Sequence, residues 1–388
     1  MSAALQELLE PVTHEAFAQR WRDRQPLHVA RQDAERFAHL VSQARIERLL
    51  SERPISFPDL QLSRFAQPIA PADYTDAAGR IIGPRLLQYH AEGATLVLAR
   101  VQHYLPALSR LCETLQRQTG LRWQANAYLS PAGQQGFGPH YDAHDVYILQ
   151  VTGRKRFAFY DGGPELPLSS QRFEPGRWAP AARVQEADLH AGSTLYIPRG
   201  VMHDAVADPH QASVHITLGC FAPTLLDVLQ GALERCAETD VTLRQAIYRH
   251  ADAALADAQG WMDQACLDEA LERLRDEVAL NARPCVQGLA HRLRQAAPAA
   301  TRTADAMLRL RDGEPWQTRS SGGSLRLRCS GSVLSFDGAA ARAVQQLLDE
   351  RRLPLSRLGM LGDEQRDALV ELLVNANIAE LERRAPDA

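Results

Sequence analysis

Lysine is almost absent from this chain of 388 residues. Lys155 is the only lysine among 43 Lys+Arg residues, so arginine supplies nearly all of the positive charge. This bias most simply reflects genome composition, and no stability argument follows from it. An excess of positive charge is missing as well, because the formal net charge is −4 at pH 7. A surface that follows nucleic-acid phosphates needs such an excess, so general nucleic-acid binding is not expected.

Paired cysteines are also lacking. None of the six cysteines belongs to a Cys-x-x-Cys motif, which argues against a zinc knot. We expect reduced, mostly buried thiols of a cytosolic protein rather than disulfides. The six are Cys112, Cys220, Cys236, Cys266, Cys285 and Cys329.

Long apolar runs are absent too. The N-terminal segment has no basic region and no extended apolar stretch, so neither a signal peptide nor a transmembrane span is expected. We therefore predict a cytoplasmic protein that does not bind membranes. A content of 45% hydrophobic and 23% charged residues is ordinary for a chain with a real core, and 388 residues suggest two or three domains.

The pattern of apolar residues places the domains at 1–222, 223–300 and 301–388. Near the start, Thr13 is expected to cap a helix that carries Phe17 and Trp21. Leucines recur at helical spacing from residue 105 to residue 115, and Gly120 is expected to end that helix. Residues 53–92 are rich in Pro, Asp and Gly and look irregular.

Residues 122–222 contain short apolar runs broken by Gly and Pro, which predict a small antiparallel barrel or sandwich. Val151-Thr152-Gly153-Arg154 is expected to form a hairpin between two of the strands. The predicted strands include Trp123–Leu129, Val146–Val151, Phe157–Tyr160, Thr194–Ile197 and Val214–Leu218.

After Pro223 the strands are expected to stop. Leucine stripes that start at Leu225 and Leu267 predict amphipathic helices, which usually pack into a core or a dimer seam. Residues 298–323 are polar and rich in Gly and Ser, which is typical of a linker. The tail then shows a strand pair (325–328 and 333–336) and two helices (339–351 and 363–375), an order that suits a winged-helix-like unit.

A candidate metal site begins with the His140-x-Asp142 motif. Two side chains one residue apart on a strand point to the same face, so both can reach one ion. The segment from Gly192 to His203, with a Pro-x-Gly bend at Pro198, matches the second metal motif of cupin barrels. Together they predict the 2-His-1-carboxylate triad of non-haem iron(II) enzymes. The alternative is a polar cluster of hydrogen-bonded histidines.

The other histidines are weaker candidates for metal ligands. His144 could hydrogen-bond near the site entrance, although a surface position fits equally well. His190 and His210 look like loop residues. His215 lies in an apolar strand, where a supporting or core role is favoured over ligation.

Lys155 follows Asp142 by thirteen residues and should share a strand face with Phe157 and Phe159. An inward ammonium among apolar side chains needs an anionic partner, which a bound dicarboxylate would supply. We therefore expect Lys155 to anchor 2-oxoglutarate. The alternative places it on a solvent face beside Arg154 and Arg156.

With these motifs in hand, the chain resembles the JmjC-type cupin oxygenases, and looks closest to their ribosomal-oxygenase branch and its bacterial relatives. The resemblance spans most of the chain but leaves residues 161–190 without an interpretable pattern. It rests on Phe17, Trp21, Pro26-Leu27, Gly93-Ala-Thr-Leu, Asn126-Ala-Tyr128, His140-x-Asp142, Gln150-x-x-Gly153-x-Lys155 and Ile197-Pro-x-Gly200-x-x-His203.

The resemblance implies an α+β fold: a double-stranded β-helix barrel, a helical dimerisation region and a C-terminal winged-helix-like domain. It implies that His140, Asp142 and His203 bind iron(II) and are catalytic. Lys155 would anchor 2-oxoglutarate. Residues matching Asn126, Tyr128 and Thr217 would also hold this cosubstrate.

The function expected is that of a 2-oxoglutarate-, iron(II)- and O2-dependent hydroxylase, acting on a side chain of a ribosomal protein or of a natural-product precursor peptide, with N-demethylation as a minor variant. A homodimer is expected. The alternatives are a metal-binding cupin sensor or adaptor without turnover, and a cupin enzyme that needs no cosubstrate. Lys155 argues against the last, because such enzymes need no dicarboxylate anchor.

Overall fold

The computed structural model describes residues 1–244, 264–282, 306–312, 317–329 and 331–382. The chain divides into two compact units, Met1–Thr224 and Leu225–Ala388. Among the residues described, no helix is both long enough and apolar enough to cross a membrane.

The helices of the first unit begin and end largely where their capping residues predict. Thr13 Oγ1 accepts a hydrogen bond from the Ala16 N–H (3.2 Å), and Gly120 ends a helix at φ 68°. Both predicted caps are confirmed. The helices are Ala3–Leu9 (α1), His14–Arg22 (α2), Gln43–Glu52 (α3), Gly83–Ala91 (α4) and Pro106–Thr119 (α5). The prediction that residues 53–92 are irregular is wrong at α4, whose start lacks a side-chain cap, and at a strand, Leu60–Ser63.

The strands of the first unit form two antiparallel sheets. They are Leu27–Val29 (β1), Leu60–Ser63 (β2), Thr95–Leu98 (β3), Arg122–Ser130 (β4), Asp145–Thr152 (β5), Arg154–Tyr160 (β6), Arg183–His190 (β7), Thr194–Ile197 (β8), Met202–Ala207 (β9) and Ser213–Phe221 (β10). The larger sheet has the order β1-β8-β5-β10-β4-β3-β2, and the smaller one β7-β6-β9. His190, expected in a loop, ends β7 instead.

Each face of the larger sheet has its own apolar core. On β5, Tyr147 and Leu149 pack with the helices, whereas Val146 and Ile148 pack with Phe157 and other side chains of the smaller sheet. This alternation follows from the two-residue period of a strand. Near β8, the space between the two sheets is therefore filled by apolar side chains. Near β4, polar side chains can line it.

The hairpin predicted at Val151–Arg154 is wrong. β5 pairs with β10 and β8, whereas β6 pairs with β7 and β9, so Gly153 carries the chain from one sheet to the other. Gly153 has φ 69°, and a Cβ there would lie 1.9 Å from the Ala212 carbonyl oxygen. Glycine signals a sharp turn in either case, and sequence does not tell a hairpin from a crossing.

The second unit combines helices with three-stranded sheets. Its helices are Leu225–Thr239 (α6), Gln264–Leu280 (α7), Gly338–Glu350 (α8) and Asp363–Asn375 (α9). Its strands are Met307–Leu310 (β11), Gln317–Ser321 (β12), Ser324–Cys329 (β13), Ser332–Asp337 (β14), Arg352–Pro354 (β15) and Ala379–Glu382 (β16). They form antiparallel sheets of order β15-β11-β16 and β12-β13-β14.

The predicted strand pair and the two predicted helices of the tail are confirmed as β13, β14, α8 and α9. The linker predicted at 298–323 is wrong where the structure describes it, because β11 and β12 lie within that range. The rest of the predicted linker, and much of the predicted helical region 223–300, lie outside the described residues. Cys112, Cys220, Cys236 and Cys329 are buried. Cys285 and the side chain of Cys266 lie outside the description.

Candidate metal centre

His140 and His203 pair through their main chains. The His140 N–H donates to the His203 carbonyl (3.0 Å), and the His203 N–H donates back to the His140 carbonyl (2.8 Å). This is an isolated bridge, and Asp142 lies in the loop that follows it. The strand predicted for His140-x-Asp142 is therefore wrong, although the expected convergence of the side chains is present. A hydrogen bond from the Gly200 N–H to the Asp142 carbonyl (2.9 Å) ties this loop to the Pro198–Gly200 bend.

The two imidazoles are held in the same way. His140 Nδ1 lies 2.8 Å from the Gly138 carbonyl oxygen, and His203 Nδ1 lies 2.9 Å from that of Val201. Since a carbonyl only accepts, each Nδ1 carries the proton and each Nε2 keeps a lone pair. One ligand atom from each of His140, Asp142 and His203 falls within 4.8 Å of the other two. His203 Nε2 and Asp142 Oδ2 are 3.8 Å apart.

The electrostatics of the triad suit a cation. Burial, and then the charge of His140, lower the pKa of His203 to about 4, whereas Asp142 acts in the opposite direction. The imidazole is thus neutral at pH 7, as a metal ligand must be. Two imidazole nitrogens and one carboxylate form a donor set that fits iron(II) and neighbouring divalent metals. The residues present therefore fit the metal that the motif predicts.

Lys155 lies inside the molecule, between the two sheets. Its side chain is 4% exposed, and Nζ donates to Ser130 Oγ at 3.0 Å. Burial lowers the pKa of Lys155 to about 7. No carboxylate in the part of the chain described lies within ion-pair distance of it, so its charge is uncompensated by protein groups. The solvent-face alternative for Lys155 is wrong.

The polar side of the space between the sheets comes from β4 and β10. Asn126 pairs in register with Thr217, and Tyr128 with His215. The rings of Tyr128 and His215 stack 4.7 Å apart at an interplanar angle of 2°. Burial, followed by the charge of Lys155, lowers the pKa of His215 well below its ordinary value, so this ring is neutral beside the lysine.

We call the polar side of the space between the sheets the polar chamber. Two of its buried polar atoms have no hydrogen-bond partner: His215 Nδ1 and Gln150 Oε1. Gln150 Nε2 donates to Ser213 Oγ (2.8 Å), and Thr95 Oγ1 lies 3.0 Å from Ser130 Oγ. Buried polar groups are normally satisfied, so the orphaned atoms mark a place for a polar ligand. Sequence reasoning missed Ser130, although its two-residue spacing from Tyr128 on β4 signals the same face.

Aromatic rings border the metal triad on two sides. The Phe137 ring lies 5.9 Å from that of His140, and the Phe173 ring 6.2 Å. Phe137 is 43% exposed. The Tyr141 ring packs edge-on against the Phe173 ring, with 5.6 Å between the ring centroids. The Tyr141 hydroxyl donates to the Gln171 carbonyl (3.1 Å). The segment 161–190, which no sequence pattern explained, thus contributes Phe173 to the border of the site.

His144 is neither a ligand nor a surface residue. Its ring stacks on Phe221 at 4.4 Å, and burial lowers its pKa. A Cβ at Gly219 would lie 2.7 Å from His144 Nε2, so glycine at this position leaves room for the ring. Of the four remaining histidine candidates, His144 and His215 lie near the site, and neither belongs to the triad.

Residues 97–228 match the model of the JmjC domain. The chain contains a JmjC domain. The matched range includes every residue of the triad and of the polar chamber except Thr95. The fold is the JmjC cupin fold with mixed helices and sheets.

Two curated relatives of this chain carry the name bifunctional lysine-specific demethylase and histidyl-hydroxylase NO66. The one from Drosophila mojavensis is 32% identical over 252 residues, which cover 63% of this chain and 28% of the relative. The one from Aedes aegypti is 28% identical over 248 residues, covering 62% and 39%. The chain thus spans well under half the length of these relatives.

Solved structures of Escherichia coli ycfD have a similar fold. One crystal structure aligns with a TM-score of 0.52 at 16% identity, covering 96% of this chain and 99% of ycfD. A second, described as a ribosomal oxygenase in complex with cobalt and 2-oxoglutarate, aligns with a TM-score of 0.51 at 16% identity, with the same coverage. At this identity the likeness shows the fold alone.

Proposed function

We propose that the protein is an iron(II)- and 2-oxoglutarate-dependent oxygenase that hydroxylates a side chain of a protein or peptide. One observation carries the proposal: the first unit contains both a two-histidine, one-carboxylate triad and a buried lysine that has no ion-pair partner among the described residues. The triad would bind the metal and the lysine would bind the distal carboxylate of 2-oxoglutarate, and an oxygenase of this kind needs both. The names of the NO66 relatives, and the cobalt and 2-oxoglutarate bound by ycfD, support this interpretation.

The triad residues would bind the metal, and Lys155 would bind the cosubstrate. His140, Asp142 and His203 would hold iron(II), leaving open positions for the cosubstrate and O2. When bound, iron supplies the oxygen-activating chemistry that no amino-acid side chain can supply. Lys155 would hold the distal carboxylate of 2-oxoglutarate as an ammonium, because a nearby anion raises the pKa that burial has lowered.

Three further residues would complete the cosubstrate site. Asn126, Tyr128 and Thr217 share the inner face of β4 and β10, as their register requires. Burial, and then the charge of Asp142, raise the pKa of Tyr128 to about 12. The phenol thus keeps its proton and can donate a hydrogen bond to a carboxylate.

The protein substrate would approach past Phe137 and Phe173, which flank His140. These rings would keep water from the reacting carbon while a side chain occupies the gap. A ribosomal protein or a precursor peptide is the proposed substrate class. The names of the relatives include a histidyl-hydroxylase and a demethylase activity, so hydroxylation is proposed as the main reaction and N-demethylation as a minor variant.

The finer architecture follows the same proposal. The two sheets of the first unit would form a double-stranded β-helix barrel, with domains at 1–222, 223–300 and 301–388. Helix α6 carries exposed Leu225, Leu226 and Leu233 (71%, 42% and 41% exposed), as a dimer seam would require. We further propose a homodimer, a winged-helix-like tail that binds no nucleic acid, and a cytoplasmic location.

Succinate formation from 2-oxoglutarate tests the activity. The protein would be purified anaerobically, loaded with iron(II) and exposed to air, without a prime substrate. We expect slow turnover in the wild type and in His210→Ala, an exposed-loop control, but none in His140→Ala or Lys155→Ala. A wild type that binds metal but neither binds nor consumes 2-oxoglutarate would exclude the oxygenase. The sensor and cosubstrate-free alternatives would then be favoured.

A further inference from the structure

The pairing of β5 with β8 stops at the bend that leads to His203. The last paired residues are Val146 and Ile197, and the next residue of the bend is Pro198. Proline has no N–H, so it cannot extend the ladder. The N–H groups that follow it are donors without a strand partner, and they bond to the loop that carries Asp142.

Two successive N–H groups of the bend contact that loop. The Gly200 N–H donates to the Asp142 carbonyl at 2.9 Å, and the Arg199 N–H donates to Asp145 Oδ1 at 3.0 Å. Asp145 follows Asp142 by three residues and is the first residue of β5. The bend therefore holds the loop at the ligand itself and again where the loop ends.

The second oxygen of the Asp145 carboxylate is held as well. Asp145 Oδ2 accepts from the Tyr196 hydroxyl at 3.2 Å. Tyr196 is fully buried, and its ring lies 5.1 Å from that of Phe17 and 5.0 Å from that of Tyr147. A tyrosine packed in this way presents its hydroxyl in a fixed position. Both oxygens of Asp145 thus have a donor, and the orientation of the carboxylate is set.

The three ligands of the triad differ in what holds them. His140 and His203 are tied directly to each other by two main-chain hydrogen bonds. Asp142 lies outside that bridge, and its loop is held through its own carbonyl and through the Asp145 carboxylate. Of these contacts, only those of Asp145 use a side chain of the loop. Loss of this side chain should therefore release Asp142 and leave the two histidines in place.

We propose that Asp145 is a positioning residue, which acts through Asp142 and holds this carboxylate within reach of the metal that His140 and His203 would bind. The inference rests on the proposed function, because it takes the triad as a metal site. Asp145 is not one of the three groups whose ligand atoms converge within 4.8 Å, so it would act without touching the metal. Groups that orient a ligand typically contribute about tenfold to a hundredfold to metal affinity.

A double-mutant cycle tests this role. Calorimetric titration of manganese(II) into the metal-free protein would measure metal affinity without turnover. We expect Asp145→Leu to weaken manganese(II) binding about tenfold, and Asp142→Ala to weaken it at least as much. If Asp145 acts through Asp142, Asp145→Leu should add nothing to Asp142→Ala. Losses that add up would mean that Asp145 supports the histidines as well, and would overturn the proposal.

Asparagine at the same position should rescue the site. In Asp145→Asn the side-chain oxygen still accepts from the Arg199 N–H, and the amide NH2 group can donate to the Tyr196 oxygen. We expect this variant to bind manganese(II) within about twofold of the wild type, because both hydrogen bonds are kept. If Asp145→Asn bound as weakly as Asp145→Leu, the negative charge of Asp145 and not its hydrogen bonds would support the metal. The positioning role would then be wrong.

A milder variant removes one of the two hydrogen bonds. Tyr196→Phe keeps the packed ring and loses the donor to Asp145 Oδ2, so it should weaken manganese(II) binding about threefold. An unchanged affinity in Tyr196→Phe would contradict the role of Asp145, even if Asp145→Leu did not fold.

The visible absorption spectrum of the cobalt(II) form reports the ligands directly, because cobalt(II) bands depend on the donor set and its geometry. The spectrum of Asp145→Leu should resemble that of Asp142→Ala, and the spectrum of Asp145→Asn that of the wild type. A general loss of stability would not change the ligand set in this selective way. A wild-type spectrum in Asp145→Leu would show that Asp142 still binds the ion, and would overturn the proposal.

Asp59→Leu is the matched control. Asp59 also accepts from a tyrosine hydroxyl, that of Tyr104 (2.7 Å), and from Arg100 Nε (3.0 Å), but these groups belong to neither the loop nor the bend. Its manganese(II) affinity should equal that of the wild type. Thermal unfolding of the metal-free proteins would show which variants fold.

Two failures can be told apart. If the folded wild type does not bind manganese(II), the proposed function fails. If the wild type binds manganese(II) and folded Asp145→Leu binds it equally well, only the positioning role of Asp145 fails.

Discussion

The rings of His140 and His203 lie 4.6 Å apart and are connected by two main-chain hydrogen bonds of 3.0 and 2.8 Å between the same two residues. The position of each ligand is thus set by the backbone of the other. A displacement of either segment should therefore move both ligands, and metal affinity should respond to changes in the bend that carries His203.

Gly200 offers a test of this coupling. It has φ 85°, and a Cβ there would lie 2.2 Å from the Pro164 carbonyl oxygen. Gly176 has the same φ of 85° but has nothing within 4 Å of the corresponding position, so it is a matched control. Both Gly→Ala variants should lose about 1 kcal/mol of stability from the backbone conformation. We expect weaker manganese(II) binding in Gly200→Ala alone, measured by titration; equal affinities would contradict the coupling.

Lys155 should make cosubstrate binding depend on pH. Burial lowers its pKa to about 7 in the free protein, and a bound carboxylate favours the charged form. Affinity for 2-oxoglutarate should therefore be constant below about pH 7. Above that it should fall, by up to about tenfold per pH unit, because binding then takes up a proton.

Calorimetry of the manganese(II) form between about pH 6 and pH 9 would measure this dependence. Lys155→Arg keeps its charge throughout and should give a flat profile, even if its affinity is lower. A flat profile in the wild type would mean that Lys155 is already charged in the free chamber, contrary to the effect of burial.

The same lysine should weaken the fold that it serves. Lys155 is 4% exposed, and its ammonium has only Ser130 as a hydrogen-bond partner among the described residues. Lys155→Met fills a similar volume without a buried charge, and should raise the free energy of unfolding by about 1–2 kcal/mol at pH 6, while abolishing 2-oxoglutarate binding. Thermal unfolding without ligand would measure the gain. Arg156→Met, on the adjacent exposed position, is the control and should be neutral.

Arg31 fastens the N-terminal helix to the larger sheet. Its guanidinium donates to the carbonyls of Leu8 (2.8 Å) and Glu10 (2.9 Å), and to Thr194 Oγ1 (2.8 Å). Arg31→Met should destabilise the first unit by about 2–4 kcal/mol, because several partly buried acceptors lose their donor. Arg48→Met, which breaks an exposed pair with Glu52, should cost less than about 0.5 kcal/mol. If the two variants lost similar free energies of unfolding in denaturant, Arg31 would not connect the helix to the sheet as we expect.

The sequence predicted β4, β5, β6, β8 and β10 from short apolar runs, and the triad from two motifs. The prediction failed where the same local sequence pattern is compatible with different strand pairings. Gly153 signals a sharp turn, but whether the chain returns to the same sheet depends on distant strands. Arg100 could not be predicted either: its backbone lies in the left-handed region at φ 52°, and its side chain hydrogen-bonds Asp59, which is distant in sequence.

The second unit was harder to predict for a different reason. β12 reads Gln-Thr-Arg-Ser-Ser and has four exposed positions, so it lacks the apolar alternation that identifies a strand. Its register comes from pairing with β13, which carries buried Leu325 and Leu327. Polar edge strands of this kind resemble linkers in sequence, and the error at β12 follows from that resemblance.

A buried ion pair joins α7 to β13 within the second unit. Glu272 and Arg328 are 2% and 3% exposed and hydrogen-bond each other, and Arg328 Nε also donates to Asp276 at 2.7 Å. Burial acts to raise the pKa of Glu272, but the hydrogen bonds from Arg328 and Arg275 outweigh it, so that the pKa is lowered.

Glu272→Gln should destabilise the second unit by about 3–5 kcal/mol, because it removes one of the two carboxylates that neutralise the buried Arg328 charge. Glu269→Gln breaks only a half-exposed contact at 3.9 Å and should be almost neutral. Since the folded pKa of Glu272 lies below its unfolded value, its stabilisation is complete above about pH 4.5 and is lost as the pH falls through the folded pKa. Denaturant unfolding followed across this range should therefore show a smaller acid dependence in Glu272→Gln than in the wild type. An unchanged acid dependence would mean that other carboxylates control acid unfolding.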